Sequence, residues 1–548
     1  MKKLFLILLA FIMLAGCEKD YLDINRDPNN PTVAPNNQLL PGIQVELARW
    51  VSIGDGLGTI ATVYSHQGTT REHWDDYGVL GTSFYNQTNW ARLYTMLTNV
   101  ELMITQGEEN DELIYAGIAK TLKAFAYSTM VDIWGDIPFS QANNIGEFSQ
   151  PEFDNGRDIY VSLLQLLDDA VADLENEESE NILAPGGEDF IYNGDVERWI
   201  RFANTLKLKL YVQVRKTDLY NANEVSALLA GDMLMESHDD SFMLFFGTSN
   251  APENRHPAFV QDYEGGQIGL YSSPWFYEIM MGLNDNIFSG IIDPRVPYYF
   301  YNQLLAGEET QNPAEYLHDS EYGRFVSIWF GSIGPNSGFD QRISATMLGI
   351  YQAGGRYSNP DDTSAERLEG RGASGTGAVP ERMLTYVDRL YLEAELIQLG
   401  MADGNIEELL EKALEESFIQ VDVAIANAVH STQDGDVPDL ERSGNDDVDD
   451  YITTIMNRFA AADAEGKFEI IMTQKWISSA GAPISQYTDY RRTGYPVIHD
   501  PNTDDNIDTQ RLRNYVLSFP WSNNELTLNP NAPEQKNAST YAVFWDVD

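Results

Sequence analysis

Apolar residues recur every three or four positions in two separated blocks of this chain, and that period commits both blocks to helix. In 89–104 the stripe is Leu93, Leu97, Val100 and Ile104. In 111–134 it is Ile114, Ile118, Leu122, Phe125 and Met130. Ile159, Leu163, Leu167, Ala170 and Leu174 mark 158–175, and Trp199, Phe202, Leu206 and Leu210 mark 195–216. The late block repeats the pattern over 381–400, 405–421, 451–463 and 467–480. Such spacing puts each set on one helical face that must be buried. Asp158 and Asp195 stand where N-caps belong. Trp90 and Trp199 fall on the stripes and Trp134 ends one, so all three read as core.

Two helical pairs early and two late predict a mainly α helix–turn–helix array. Small residues in "LEAELIQLG" and "EKALEESF" echo tetratricopeptide repeats, although the 34-residue consensus is not met in order. The reading is a helical-repeat, tetratricopeptide-like superhelix. Length alone suggests about three or four domains. That length prior is a soft one. Between the blocks, in about 217–380, the period fades and Gly, Pro, Ser, Asn and aromatics rise. Long irregular segments of this kind carry function or are disordered. The aromatics argue for order, up to 361–378, which reads as mobile.

The only cysteine is Cys17. Lys2 and Lys3, then the apolar run Leu4–Leu14, then Ala15 and Gly16 make a secretory leader over 1–16. The run is shorter than the roughly 20 residues a membrane span requires. Leu14-Ala15-Gly16-Cys17 resembles a bacterial lipobox, in which the thiol is the nucleophile that takes the lipid. Residues 17–38, rich in Asn and Pro, read as a lipidated tether. With Cys17 consumed, disulfides, thiolate metal sites and thiol catalysis are excluded within one chain. Asp and Glu number 84 against 35 Lys and Arg, a net charge of −49. That surface repels nucleic acid.

The chain resembles the SusD/RagB-like nutrient-binding outer-membrane lipoproteins of Bacteroidetes-type bacteria, and the divergent SusD-and-RagB branch fits best. The landmarks, in order, are the lipobox with "YLDINRDPNNPT", "NWARLYTMLTNVELM", "AFAYSTMVDIWGDIPFSQA", "GDVERWIRFANTLKLKL", "DPR" at 293–295, "ERMLTYVDRLYLEAEL", and the tail from "RRTGYP" to "RLRNYVLSFPWSNNELTLNPNA". The resemblance implies that 39–548 is one helical domain of four repeat-like helix pairs with a loop-rich insert forming the ligand face. It implies a TonB-dependent outer-membrane transporter as partner, and capture of oligosaccharides, or peptides in some members, without catalysis. Glu18 and Asp20 loosely match the surface-export signal of these bacteria, which would face the protein to the cell exterior.

Sugar binding pairs an aromatic ring against the apolar face of a pyranose with directed hydrogen bonds to hydroxyls. Three aperiodic segments offer that combination: Trp74, Asp75 and Tyr77 with Arg71 and Asp76 in 69–79, Trp275 and Tyr277 in 272–278, and Tyr322, Arg324 and Trp329 in 321–331. The competing reading for each ring is core packing or a loop anchor.

Other chemistries lack a pattern. The adjacent acids Asp75/Asp76 and Asp361/Asp362 read as solvated faces, because glycoside hydrolysis needs two carboxyls at a set separation. His66 and His73 belong to no metal motif, and neither a phosphate loop nor a nucleophile elbow occurs. A surface-anchored glycoside hydrolase and a pure interaction protein are the alternatives to a binding lipoprotein. No cofactor is expected. Calcium is conceivable at the acid-rich 434–450 and 500–508, but neither fits EF-hand spacing, and both read as acidic loops.

Overall fold

The structure is a computed structural model that describes residues 34–547, apart from 73, 180–186, 266–267, 333, 335–341, 360–374, 430–436 and 499–514. The leader, Cys17 and nearly all of the tether lie outside the described residues. So do His73, Asp361, Asp362, most of 361–378 and the 500–508 acids.

The first helix, α1 (Asn36–Val51), begins inside "APNNQ", which the sequence marks as turn. Its stripe of Leu39, Leu40, Ile43, Leu47 and Trp50 is buried, and that burial overrides the weak local propensity. A short α2 (Gly58–Tyr64) follows. Next come α3 (Phe84–Glu109), α4 (Leu113–Trp134), α5 (Gly156–Leu174) and α6 (Val196–Gln213), where the periodicity expects them. Asp195 caps α6 by accepting the Arg198 N–H at 3.2 Å. Asn155, not Asp158, caps α5, because that helix starts two residues before the aspartate. Asp158 stays in the first turn, where its charge still suits the positive helix end.

The insert contains α7 (Ala222–Ala230), α8 (Pro274–Met280) and short antiparallel pairs instead of one large sheet. Strand β1 (Gly68–Thr69) pairs with β3 (Tyr271–Ser272), and β4 (Phe300–Tyr301) pairs with β7 (Met347–Leu348). The hairpin β5 (Tyr316–Ser320) to β6 (Gly323–Ser327) pairs five residues with five, and β5 is the partly exposed strand. Strand β2 (Phe242–Phe245) pairs with β8 (Pro380–Leu384). Residues 380–384 are thus strand, where the sequence reads helix from 381. Thr385 then forms a capping box with Asp388 and starts α9 (Tyr386–Gln398). The late helices are α10 (Ile406–Ile425), α11 (Asp446–Ala461), α12 (Ala464–Ser478) and α13 (Pro483–Thr493). The end of the 434–450 acid run is therefore helix and not loop: Asn445 caps α11, and Asp446, Asp447 and Asp449 fill its first turn.

Packing passes from helix to helix: α1 on α3, α3 on α4, α4 on α5, α5 on α6. Helix α6 meets α9, which packs against α10 and α12, and α13 returns to α2. The mainly helical superhelix expected from the sequence is what forms. Helix α4 is buried on nearly every side from Tyr115 to Trp134. Gly117 permits its close crossing with α5: a Cβ there would lie 2.8 Å from the Ala170 carbonyl oxygen and 2.7 Å from Leu174 Cγ. Trp134, Trp199 and Trp90 are core, at 0%, 0% and 4% exposure.

Two buried ionic clusters join the blocks. Glu395 of α9 meets Arg492 of α13 and Arg215 after α6. Burial pushes its carboxyl up, but the guanidinium charges of Arg492 and Arg215 win and hold it below the usual range. Arg295, in "DPR", is fully buried. It forks onto Asp293 at 2.9 and 2.6 Å and donates to Ser417 of α10 and Gln474 of α12. The insert is thereby fastened to the late block. Among the described residues, no helix is long and apolar enough to cross a membrane.

Candidate ligand-binding face

The three aromatic segments singled out in the sequence come together. Strand β1 leads into the Trp74 segment, and its partner β3 leads into α8 with Trp275 and Tyr277. Residues 329–331, just after β6, close against the Trp74 segment. The tie is Asp75, 2% exposed. Its Oδ2 accepts the Thr69 hydroxyl at 2.7 Å, the Thr70 N–H at 3.2 Å and the Gly331 N–H at 2.9 Å. Burial raises its pKa to about 7, and the three hydrogen bonds only partly oppose the shift. Asp76 is also buried, at 6%. The adjacent acids are therefore not a solvated face: they are drawn inward because the backbone donors that one of them satisfies are themselves buried.

Most of the rings build a core beneath this face. Tyr77, at φ 59°, pairs its hydroxyl with His66 Nε2 at 3.0 Å. Around His66 stand Trp275, Phe330, Tyr490 and Tyr515, with ring centroids at 5.8, 5.2, 5.2 and 5.9 Å. Trp275 stacks on Phe330 and is 9% exposed. Tyr277 is wholly buried. Its ring stacks on Phe325 at 3.9 Å, and its hydroxyl pairs with His318 Nδ1 at 3.0 Å. Arg324 braces the hairpin, with two 2.7 Å bonds to its cross-strand partner Asp319 and a third to the Glu308 carbonyl. Tyr322 occupies the hairpin turn, half-buried, and its carbonyl accepts from Asn302.

Two tryptophans remain at the surface. Trp74 is half-buried and meets Tyr85 at right angles, 5.2 Å between centroids. Trp329 is half-buried and meets Tyr316 at 82° and 5.0 Å. Acceptors surround Trp329. Glu315 takes its backbone N–H at 3.1 Å and the Ser332 hydroxyl at 2.7 Å. Glu278 takes the Tyr316 hydroxyl at 2.9 Å, and burial raises its pKa. Burial likewise lowers the pKa of His318, favouring neutral imidazole. The face thus offers flat rings beside carboxylates and a neutral imidazole. Tyr85, Glu278, Glu315, Tyr316 and His318 escaped the sequence reading. A usable signal exists in "YLHDS", whose alternation puts Tyr316 and His318 on the inner side of β5. Among the described residues, no group of three His, Cys, Asp or Glu is placed to hold a metal.

No curated protein matches the sequence. Solved structures do match it. A SusD homologue from Bacteroides fragilis superposes with a TM-score of 0.66 at 17% identity, covering 94% of this chain and 99% of its own. A SusD/RagB family protein from Bacteroides thetaiotaomicron gives 0.66 at 19%, covering 94% and 99%. A chitin-binding SusD homologue from Flavobacterium johnsoniae gives 0.64 at 19%, covering 93% and 99%. These likenesses establish the fold. The sequence model of the SusD-like family described as "Starch-binding associating with outer membrane" matches residues 28–516. Proteins of that family bind carbohydrate without catalysis, so the chain is a nutrient-binding protein and not an enzyme. By that match across most of its length, the chain belongs to the SusD-like family.

Proposed function

We propose that this protein is a lipid-anchored, outward-facing outer-membrane receptor that stacks a nutrient glycan on Trp74 and Trp329 and passes it to a TonB-dependent transporter. The observation that carries the glycan reading is the two half-buried tryptophans, Trp74 fixed against Tyr85 and Trp329 fixed against Tyr316 with Glu315 on its backbone N–H and Glu278 on the Tyr316 hydroxyl. A ring held rigid loses little entropy on binding, and each stacked sugar contributes through apolar contact as well as hydrogen bonds. Residues 1–16 serve as the leader, Cys17 carries the lipid, 17 to about 35 form the tether, and the remainder is one binding domain. Tyr277 and Tyr77 act as supports instead of contacts, because their rings are enclosed. Arg324 acts as the brace of the hairpin. The chitin-binding relative makes β-linked N-acetylglucosamine chains one substrate class to test, and starch the other.

A glycan array probed with the full chain in detergent, followed by isothermal titration on the hits, tests this. Binding should be reversible and should release no new reducing ends. Trp329→Ala should weaken it at least tenfold. Absence of binding to every glycan at millimolar concentration, or an unchanged affinity in both Trp74→Ala and Trp329→Ala, refutes it. Co-purification with an outer-membrane barrel tests the transporter partner separately.

A further inference from the structure

A cavity of about 460 Å³ opens between α1, the end of β2 and the segment 253–261. Its volume suits a small ligand. Two phenylalanines on its lining are displayed to solvent, Phe190 at 54% and Phe245 at 43%. Neither display is a consequence of loose chain. The Phe190 N–H donates to Gln44 Oε1 of α1 at 2.9 Å. The preceding Asp189 is locked by Gln44 Nε2 at 2.7 Å and the Trp199 indole at 2.8 Å. Phe245 ends a strand whose first three residues are buried and which pairs with β8. Two exposed rings lining one cavity on rigid elements make an apolar patch of the kind that marks a ligand-binding groove.

The polar part of the lining selects the ligand's charge. Arg49 is paired with Asp55 at 2.9 Å. Arg255 is forked onto Glu253 at 2.9 and 2.7 Å and also holds Glu264. With both guanidinium groups compensated, an ionic ligand would have to break a pair, whereas a neutral ligand with hydroxyls could donate to the carboxylates and accept from the guanidinium edges. Gln261 lines the same cavity, and its Oε1 is buried and takes no hydrogen bond from any described residue. It sits in a π-helical turn, Val260–Glu264, a geometry that recurs at functional sites. Finally, the cavity adjoins the tryptophan face. Gly54 lines it, and the Gly54 carbonyl accepts the Tyr85 hydroxyl at 3.3 Å, the same tyrosine that stands against Trp74.

We infer that the cavity between Phe190 and Phe245 is a second subsite for a neutral oligosaccharide, engaged by a further stretch of the chain that lies on Trp74. The inference rests on the glycan reading above. A repeating ligand presents the same unit to both places, so the second contact becomes intramolecular and adds avidity. The gain should appear with ligand length and vanish for ligands too short to reach.

The test is isothermal titration of the full chain in detergent with chitohexaose and maltohexaose and with their disaccharides. For the hexasaccharide that binds, the double variant F190A/F245A should lower affinity at least tenfold and leave the disaccharide's affinity within twofold. Both rings are exposed, so the variant should melt with the wild type. Gln261→Leu, a second variant that leaves the rings in place, should lower hexasaccharide affinity in the same direction. If Trp329→Ala weakens the hexasaccharide but F190A/F245A and Gln261→Leu do not, the subsite is refuted and the glycan reading stands. If neither hexasaccharide binds the wild type but phenylalanyl-phenylalanine does, and the double variant loses it, the cavity takes peptide and the subsite is refuted. If none of these probes binds the wild type at millimolar concentration, the subsite is likewise refuted, and the glycan reading stands or falls on the array.

Discussion

Asp75 should make this protein lose stability on going from acid to neutral pH, and replacing it with asparagine should remove the loss. In the folded chain its pKa is about 7, against 3.8 for an ordinary aspartate, because burial opposes the charge more than three hydrogen bonds support it. Between those two values the folded state holds a proton that the unfolded state has released. Stability contributed by that proton is fully present below pH 3.8 and is lost as pH rises through about 7. A rise of about three units at ~1.36 kcal/mol each amounts to about 4 kcal/mol. All three donors point to Oδ2, so the side chain introduced by Asp75→Asn can accept them through its amide oxygen while carrying no charge. Unfolding entropy near 2 cal/mol/K per residue gives about 1 kcal/mol per degree for a chain of this size, so the shift in Tm is about 4 °C.

The assay is thermal unfolding of wild type and Asp75→Asn, side by side from pH 4 to 9. Titrations common to both cancel in the difference, and Asp76 contributes least among the causes of the shift. The variant should gain on the wild type between pH 4 and 7, ending about 4 °C above its relative position at pH 4, with the difference flat beyond pH 8. A pH-independent difference, or a variant that loses ground as pH rises, refutes the reasoning. Asp75→Ala is the control for geometry: it strands the Thr69, Thr70 and Gly331 donors at about 1–3 kcal/mol each and should destabilise at every pH.

Arg295→Met should cost about 3–5 kcal/mol in chemical denaturation, since it leaves Asp293 buried without its partner. Arg295→Lys should recover only part of this, because an ammonium cannot reproduce the fork onto Asp293 together with the contacts to Ser417 and Gln474. Gly117→Ala sets two effects against each other: helix propensity favours alanine by ~1 kcal/mol, and overpacking against the Ala170 carbonyl costs about 1–3 kcal/mol. Because the obstructing atom is backbone, overpacking should win and the denaturation midpoint should fall. A rise would mean that α4 and α5 separate freely.

Which parts of this molecule the sequence announces follows from where each partner lies along the chain. Helices α3, α5 and α6 are legible because one stripe of each faces the core, and the period of that stripe is local. Helix α4 is legible for its length and apolarity, although burial on nearly all sides blurs its stripe. Helix α1 and strand β8 mislead for one reason: "APNNQ" and "ERML" carry local preferences that burial against remote elements overrules. The same distinction governs the aromatic face. Its three segments stand out by composition, yet whether a ring is support or contact depends on rings far away. Tyr277 is closed by Phe325 stacked on it and by Phe300 and His318 around it. Tyr77 is closed by Phe330 and Tyr515. Trp74 and Trp329 instead meet their neighbours Tyr85 and Tyr316 nearly at right angles. Perpendicular pairing alone does not set them apart, since Trp199 meets Tyr192 at 88° and is fully buried. What sets Trp74 and Trp329 apart is that each keeps part of its surface in solvent while a neighbouring ring fixes its orientation, and that combination separates a candidate sugar platform from a core aromatic. It arises only when segments distant in sequence fold against one another.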